Sequence, residues 1–282
     1  MKANEFPVNQ ANPLIAISKD IPQIGFFGGE RGKEINDSIR KDYPDIPVLQ
    51  IADYSKNIVK GSNSFYNVAV QSKLPFGVRV AGQGDLETAI RIEALDLIGT
   101  YEDTGLVLRT EKNPNSYLAR NLMKQVNDRL GKKAKMPVVI PLYDLELVKD
   151  QDSPQGLAFK LKENAEITYA PVLNELNGAN FNSEDVNFKT GLPTKVGNGN
   201  RNIYTRNSGL SRLYLNRNLN LNSNLVNLAA SDDNGRVVLV STAFGGSQAF
   251  FNKKLTELQK IRDMQIAKIN ENYKEAEAIF RR

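Results

Sequence analysis

Between Arg206 and Val240 the chain reads RNSGLSRLYLNRNLNLNSNLVNLAASDDNGRVVLV, with asparagine at 216, 218, 220, 222, 224 and 227 set against leucine at 213, 215, 219, 221, 225 and 228. Alternation at a period of two is the pattern of an extended segment with one buried and one exposed face, although asparagine is a poor strand former. The pattern predicts leucines fixed in a core and polar side chains displayed on a surface. The closing Gly235-Arg236-Val237-Val238-Leu239-Val240 reads as a buried strand.

Two ordinary explanations compete with display. An adenine-rich genome raises asparagine, but it raises lysine too, and no lysine lies between Val196 and Asn252; the cations there are Arg201, Arg206, Arg212, Arg217 and Arg236. A low-complexity linker gives no reason for leucine to keep step with asparagine or for the stretch to end in a strand.

Asparagines interleaved with fixed residues, short of lysine and flanked by Ser208-Gly209-Leu210-Ser211 and Gly235-Arg236-Val237, resemble the variable region of diversity-generating retroelement target proteins. In that family adenine-directed reverse transcription rewrites asparagine codons, which cannot become stop codons by change at adenine as lysine codons can. The resemblance implies diversified, ligand-contacting positions at Tyr214, Asn216, Asn218, Asn220, Asn222, Asn224, Asn227, Ser231, Asp232, Asp233 and Asn234. Gly209, Leu210, Arg212, Leu228, Ala229, Gly235 and Arg236 would be scaffold. It also implies an α+β, C-type lectin-like (formylglycine-enzyme-like) domain, similar to proteins of candidate-phylum bacteria and archaea, and a ligand that varies between gene copies.

The remaining composition narrows the chemistry. The 282 residues contain no cysteine, histidine or tryptophan, which removes disulfides, thiol or imidazole metal sites and histidine acid–base catalysis. Binding rather than enzymatic catalysis is expected, with no cofactor and no metal; Asp144, Glu146, Asp150 and Asp152 lack the spacing of a calcium loop. A net charge of +5 is mild for this length, so nucleic acid is not the expected partner, although Arg206, Arg212, Arg217 and Arg236 with Tyr204 and Tyr214 would suit single strands. Neither a signal peptide nor a membrane-spanning run is expected, which points to a cytoplasmic or virion-associated protein. The alternative function is a structural component of a virion or other large particle.

Three regions are expected. Residues 1–57 look irregular, broken by Pro7, Pro13, Pro22, Pro44 and Pro47, and the glycines of GFFGGERG read as a turn rather than a phosphate loop. Residues 58–245 form the domain. Within it Phe65–Val80 reads as two strands, Asp85 caps a short helix, Glu102 and Asp103 sit in a solvated turn before a strand at Gly105–Arg109, and Ser116 to Gly131 is a helix. Strands follow at Val138–Leu147, Leu157–Leu161 and Ile167–Ala170, then a polar loop from Asn174 to Asn202. Residues 246–282 have helical periodicity and are expected to form a C-terminal helix, packing on the domain or pairing two copies as a homo-oligomer.

Overall fold

The computed structural model describes residues 24–131, 134–174, 178–241 and Ile266, and no helix among them is long and apolar enough to cross a membrane. The fold is mixed α+β. It opens with β1 (Ile24–Phe26) and α1 (Gly29–Asp42), which buries Gly32, Ile35, Asn36 and Ile39 at three- and four-residue spacing. The expectation of an irregular segment up to residue 57 is corrected here: the prolines fall outside α1, and the glycines permit close packing. A Cβ on Gly28 would lie 2.4 Å from the Asn57 carbonyl oxygen. The hairpin β2 (Asp53–Ser55) and β3 (Ile58–Lys60) follows, so the domain begins before residue 58.

α2 (Ser64–Lys73) replaces the first of the two strands expected over Phe65–Val80; β4 (Val78–Val80) is the second. Asn63 caps α2 by accepting from Tyr66 N at 2.8 Å. Residues 64–70 are all buried, so the helix has no polar face to reveal its period. α3 (Gln83–Arg91) starts at Gly82, whose N–H is bonded by the Asp85 carboxylate at 2.7 Å. β5 (Tyr101–Leu108) is the central strand, and α4 (Ser116–Leu130) is the expected helix, ended at Gly131 with φ +85°. The single strand expected over Val138–Leu147 is two, β6 (Val138–Pro141) and β7 (Leu145–Lys149), because Pro141 cannot donate to a ladder. β7 pairs with β8 (Leu157–Leu161), and β9 (Thr168–Tyr169) ends this half.

The expected loop over Asn174–Asn202 instead contains short strands, β10 (Ala179–Phe181), β11 (Val186–Asn187), β12 (Leu192–Pro193) and the start of β13 (Arg201–Tyr204). The asparagine-rich stretch supplies β14 (Leu210–Leu215), β15 (Leu221–Asn222), β16 (Gly235–Arg236) and β17 (Val238–Ser241). The expected C-terminal helix over 246–282, and pairing through it, lie outside the described residues except for Ile266, which is helical.

The main sheet runs β10-β13-β15-β14-β5-β6-β9, with β16 on β5 beside β6. Its two faces carry separate cores. Leu106, Leu108, Ile140 and Leu210 meet α2, α4 and the β7–β8 hairpin, whereas Val107, Val139, Leu213 and Leu215 meet Leu86, Ala89 and Phe181. A second sheet, β1-β17-β4, joins the beginning and end of the domain, with Leu239 between Gly25 and Val80. Leu239 is 1% exposed. Leu239→Ala is expected to cost about 2–5 kcal/mol in denaturant unfolding; a loss below about 1 kcal/mol would mean that the closing strand does not carry the fold.

Candidate functional site

The eleven positions singled out in the sequence fall into three groups. Asn218, Asn227, Ser231, Asp232, Asp233 and Asn234 are exposed, and Asn216 and Asn224 are half-buried. Tyr214, Asn220 and Asn222 are 9%, 8% and 5% exposed, which corrects the expectation that the polar members of the alternation are displayed together. The reason is topological. β14 lies between β5 and β15, and β15 between β13 and β14, so both edges of these strands are paired, and with a core on each face of the sheet every residue of β14 and β15 is buried.

Hydrogen bonding explains many of the asparagines locally. Asn216 Oδ1 accepts from the N–H groups of Asn218 and Asn220, closing the β14–β15 turn in which Leu219 adopts φ +60°. Asn220 Oδ1 accepts from Asn202 N at 2.7 Å, extending the parallel pairing of β13 and β15, and Asn222 Nδ2 donates to Asn220 O. Asn227 Oδ1 accepts from Ala229 N, and Asp232 Oδ1 from Asn234 N. Asparagine recurs partly because its amide completes turns that the backbone alone leaves open.

Residues 223–234 connect β15 to β16 without strand structure, yet their course is fixed. Ser223 O accepts from Ser211 Oγ at 2.6 Å, Asn224 O from Arg206 Nη1 at 3.2 Å, and Leu225 O from Arg212 N at 3.3 Å. Val226 O accepts from Asn115 Nδ2 at 2.6 Å, Leu228 O from Ser64 N, Ala229 O from Asn63 Nδ2 at 3.0 Å, and Ala230 O from Arg212 Nη1 at 2.9 Å. Asn227 O accepts from Ala230 N. Every carbonyl from Ser223 to Ala230 is therefore engaged, and all but one of the donors come from outside the segment. The anchor is the backbone, and of the outward side chains between 223 and 230 Asn227 adds a bond within the segment, from Ala229 N.

The donors are held in turn by buried polar contacts. Arg212 Nε and Nη2 each lie 2.6 Å from a carboxylate oxygen of Asp103, which favours the charged Arg212 against its burial. Asp103 and Glu102 are thus not the solvated turn residues expected: both lie inside β5, 3% and 1% exposed. Their roles were hidden because Arg212, the partner that makes a buried Asp103 tenable, is 109 residues further along. Arg109 donates to Leu173 O, Ser211 Oγ and Ser223 Oγ, and burial beside Arg206 disfavours its charge. Arg109 did not feature among the expected site residues and Arg206 only as a candidate for nucleic acid, and only the fold brings them together beneath Ser223 and Asn224.

Ser231, Asp232 and Asp233 line a hollow of about 400 Å³ with Ile51, Asp53, Ser55, Lys60 and Gly61 of the β2–β3 region. The β14–β15 turn and the 231–234 loop are joined through residues 99–101: Gly99 N donates to Arg217 O at 2.9 Å, and Tyr101 N to Asn234 O at 3.1 Å. A second hollow of about 230 Å³, at the start of α3 against Tyr143 and Lys189, contains none of the eleven positions. No group of three or more potential metal-ligating side chains occurs among the described residues. Arg212, one of the arginines considered for nucleic acid, is 5% exposed and spent on Asp103.

Asp103→Ala strands a buried guanidinium and is expected to cost about 3–5 kcal/mol, whereas the paired change Asp103→Leu with Arg212→Met is expected to recover only part of that loss, because Ala230 O then loses its donor. Denaturant unfolding of the two variants measures the difference. Equal stability of the single variant and the parent would contradict the role given to the pair. Comparison with family models, with curated proteins and with solved structures finds no match to this chain.

Proposed function

We propose that the protein is a ligand-binding display protein, diversified by a retroelement at codons of its asparagine-rich stretch, on a C-type lectin-like scaffold. The observation that carries this reading is the anchoring of Ser223–Ala230 through its carbonyls. Diversification requires a segment whose path survives a change of side chain. Substitutions that leave backbone anchors intact and face solvent cost within about 0.5 kcal/mol.

On this reading Asn218, Asn224, Ser231, Asp233 and Asn234 are the contact positions, joined by Asn216, Asn227 and Asp232, whose side-chain oxygens also close their own turns and whose replacement therefore costs more. Tyr214, Asn220 and Asn222 belong with the scaffold, because their side chains are enclosed by strands. Tyrosine introduced at the exposed positions would give broad contact area at low conformational cost, as it does in antibody loops. The exposed asparagines supply donors and acceptors but little apolar area, so this copy would bind weakly.

Sequencing the gene in many cells of its source population tests the proposal. Substitutions are expected at codons 216, 218, 224, 227 and 231–234, falling at adenines of a nearby repeat beside a reverse-transcriptase gene. Invariant codons without such a repeat would overturn it.

A further inference from the structure

Glu102 has no place in the anchoring described above. It faces Leu215 of β14 across one side of β5 and Arg236 of β16 across the other. The residue is 1% exposed, and neither carboxyl oxygen has a hydrogen-bond partner. A buried carboxylate in this state is costly, whereas the neutral acid is tolerated. Arg236 does not neutralise it by contact: neither Glu102 oxygen has a hydrogen-bond partner, while Arg236 Nη1 donates to the carbonyls of Asp233 and Gly235, each at 2.7 Å.

The surrounding groups come from every strand and loop that meets this point. Asp103, on the same strand, is held by Arg212 of β14. Tyr101 and Tyr214 lie with ring centroids 6.3 Å apart. Asp232 and Asp233, in the loop before β16, act on Arg236 and so compete for its charge. Burial pushes the Glu102 carboxyl up to about 8; the nearby Thr100 hydroxyl, whose proton is donated to Leu97 O and not to Glu102, and the charge of Arg236 oppose the shift, and Asp103 reinforces it.

The location gives this acid a consequence. The strand segment that carries it also carries both backbone links between the display pieces, Gly99 N to Arg217 O and Tyr101 N to Asn234 O. We propose that Glu102 is a proton-operated latch: as the neutral acid it keeps the seam between the β14–β15 turn and the 231–236 segment closed, and on ionisation it releases that seam. Arg236 and incoming water then solvate the carboxylate, and the two display pieces separate. The inference concerns the fold and stands whether or not the surface is diversified.

With the seam closed the acid keeps its proton to a higher pH than when the seam is open, where the ordinary value of 4.5 applies. Its contribution to closure is complete below about pH 4.5, declines as pH rises and is lost above about pH 8. Within that window the opening constant rises at most about tenfold per pH unit.

Hydrogen exchange of the full chain between pH 5.5 and 8.5, normalised for intrinsic exchange, reads the latch. Peptides covering 98–103, 214–219 and 232–237 are expected to lose protection as pH rises, while those of the β7–β8 hairpin keep theirs. Glu102→Gln is expected to flatten this response at the seam. A flat response in the parent, an unchanged response in Glu102→Gln, or equal loss in the β7–β8 hairpin would overturn the proposal. Should the variant fail to fold, carbon-detected titration of the Glu102 carboxyl in the parent decides: a midpoint well above the ordinary carboxyl range supports the latch, and one near 4.5 ends it.

Discussion

Arg212 joins three parts of the molecule that otherwise share little. Its backbone N–H holds Leu225 O, its Nη1 holds Ala230 O, and Nε with Nη2 grips Asp103 on β5. A guanidinium this enclosed is tenable only because each face of its fork meets an acceptor and its charge meets a carboxylate. Through that one residue the irregular 223–230 segment is tied to the central strand of the main sheet. Asn63, Ser64, Asn115 and Arg206 extend the same principle by presenting donors to carbonyls instead of packing against side chains.

This arrangement separates what fixes the segment's shape from what its surface presents. In the leucine–asparagine alternation of β14 and β15 the two are not separated, because both edges of each strand are paired and the side chains on both of its faces are buried. Between Ser223 and Asn234 there is no strand and the backbone to Ala230 is held point by point, and Asn218, in the turn before β15, and Asn234 are exposed. The acid–arginine pair and the unpartnered Glu102 occupy neighbouring positions on β5, so a charge-paired and an unpaired buried carboxyl lie one residue apart.

The sequence is most legible where a pattern is local. α4 follows from Leu118, Leu122 and Val126 at helical spacing with Gly131 behind them, and β8 and the strand character of Gly235–Val240 follow from apolar runs. α2 was unreadable because Phe65, Tyr66, Val68 and Val70 are buried on every side, so no amphipathic period exists, and the signal that it is a helix rests in Asn63 alone. The alternation of leucine and asparagine correctly marks extended backbone in β14 and β15, but burial of Asn220 and Asn222 depends on β13, 18 residues upstream, whose parallel pairing no local pattern announces. Asp103, Arg109 and Arg206 carry no sequence signal as a group; distance along the chain hides them until the sheet brings them together.

The central claim is that the surface of this stretch varies independently of its path. It is tested most directly by a library randomised together at Asn218, Asn224, Ser231, Asp233 and Asn234, sorted for protease resistance, beside a second library randomised at Asn220 and Asn222. The account predicts that most members of the first library remain folded and that few of the second do. Equal loss of folded members from both libraries would contradict it, because the side chains, not the anchored carbonyls, would then be setting the shape.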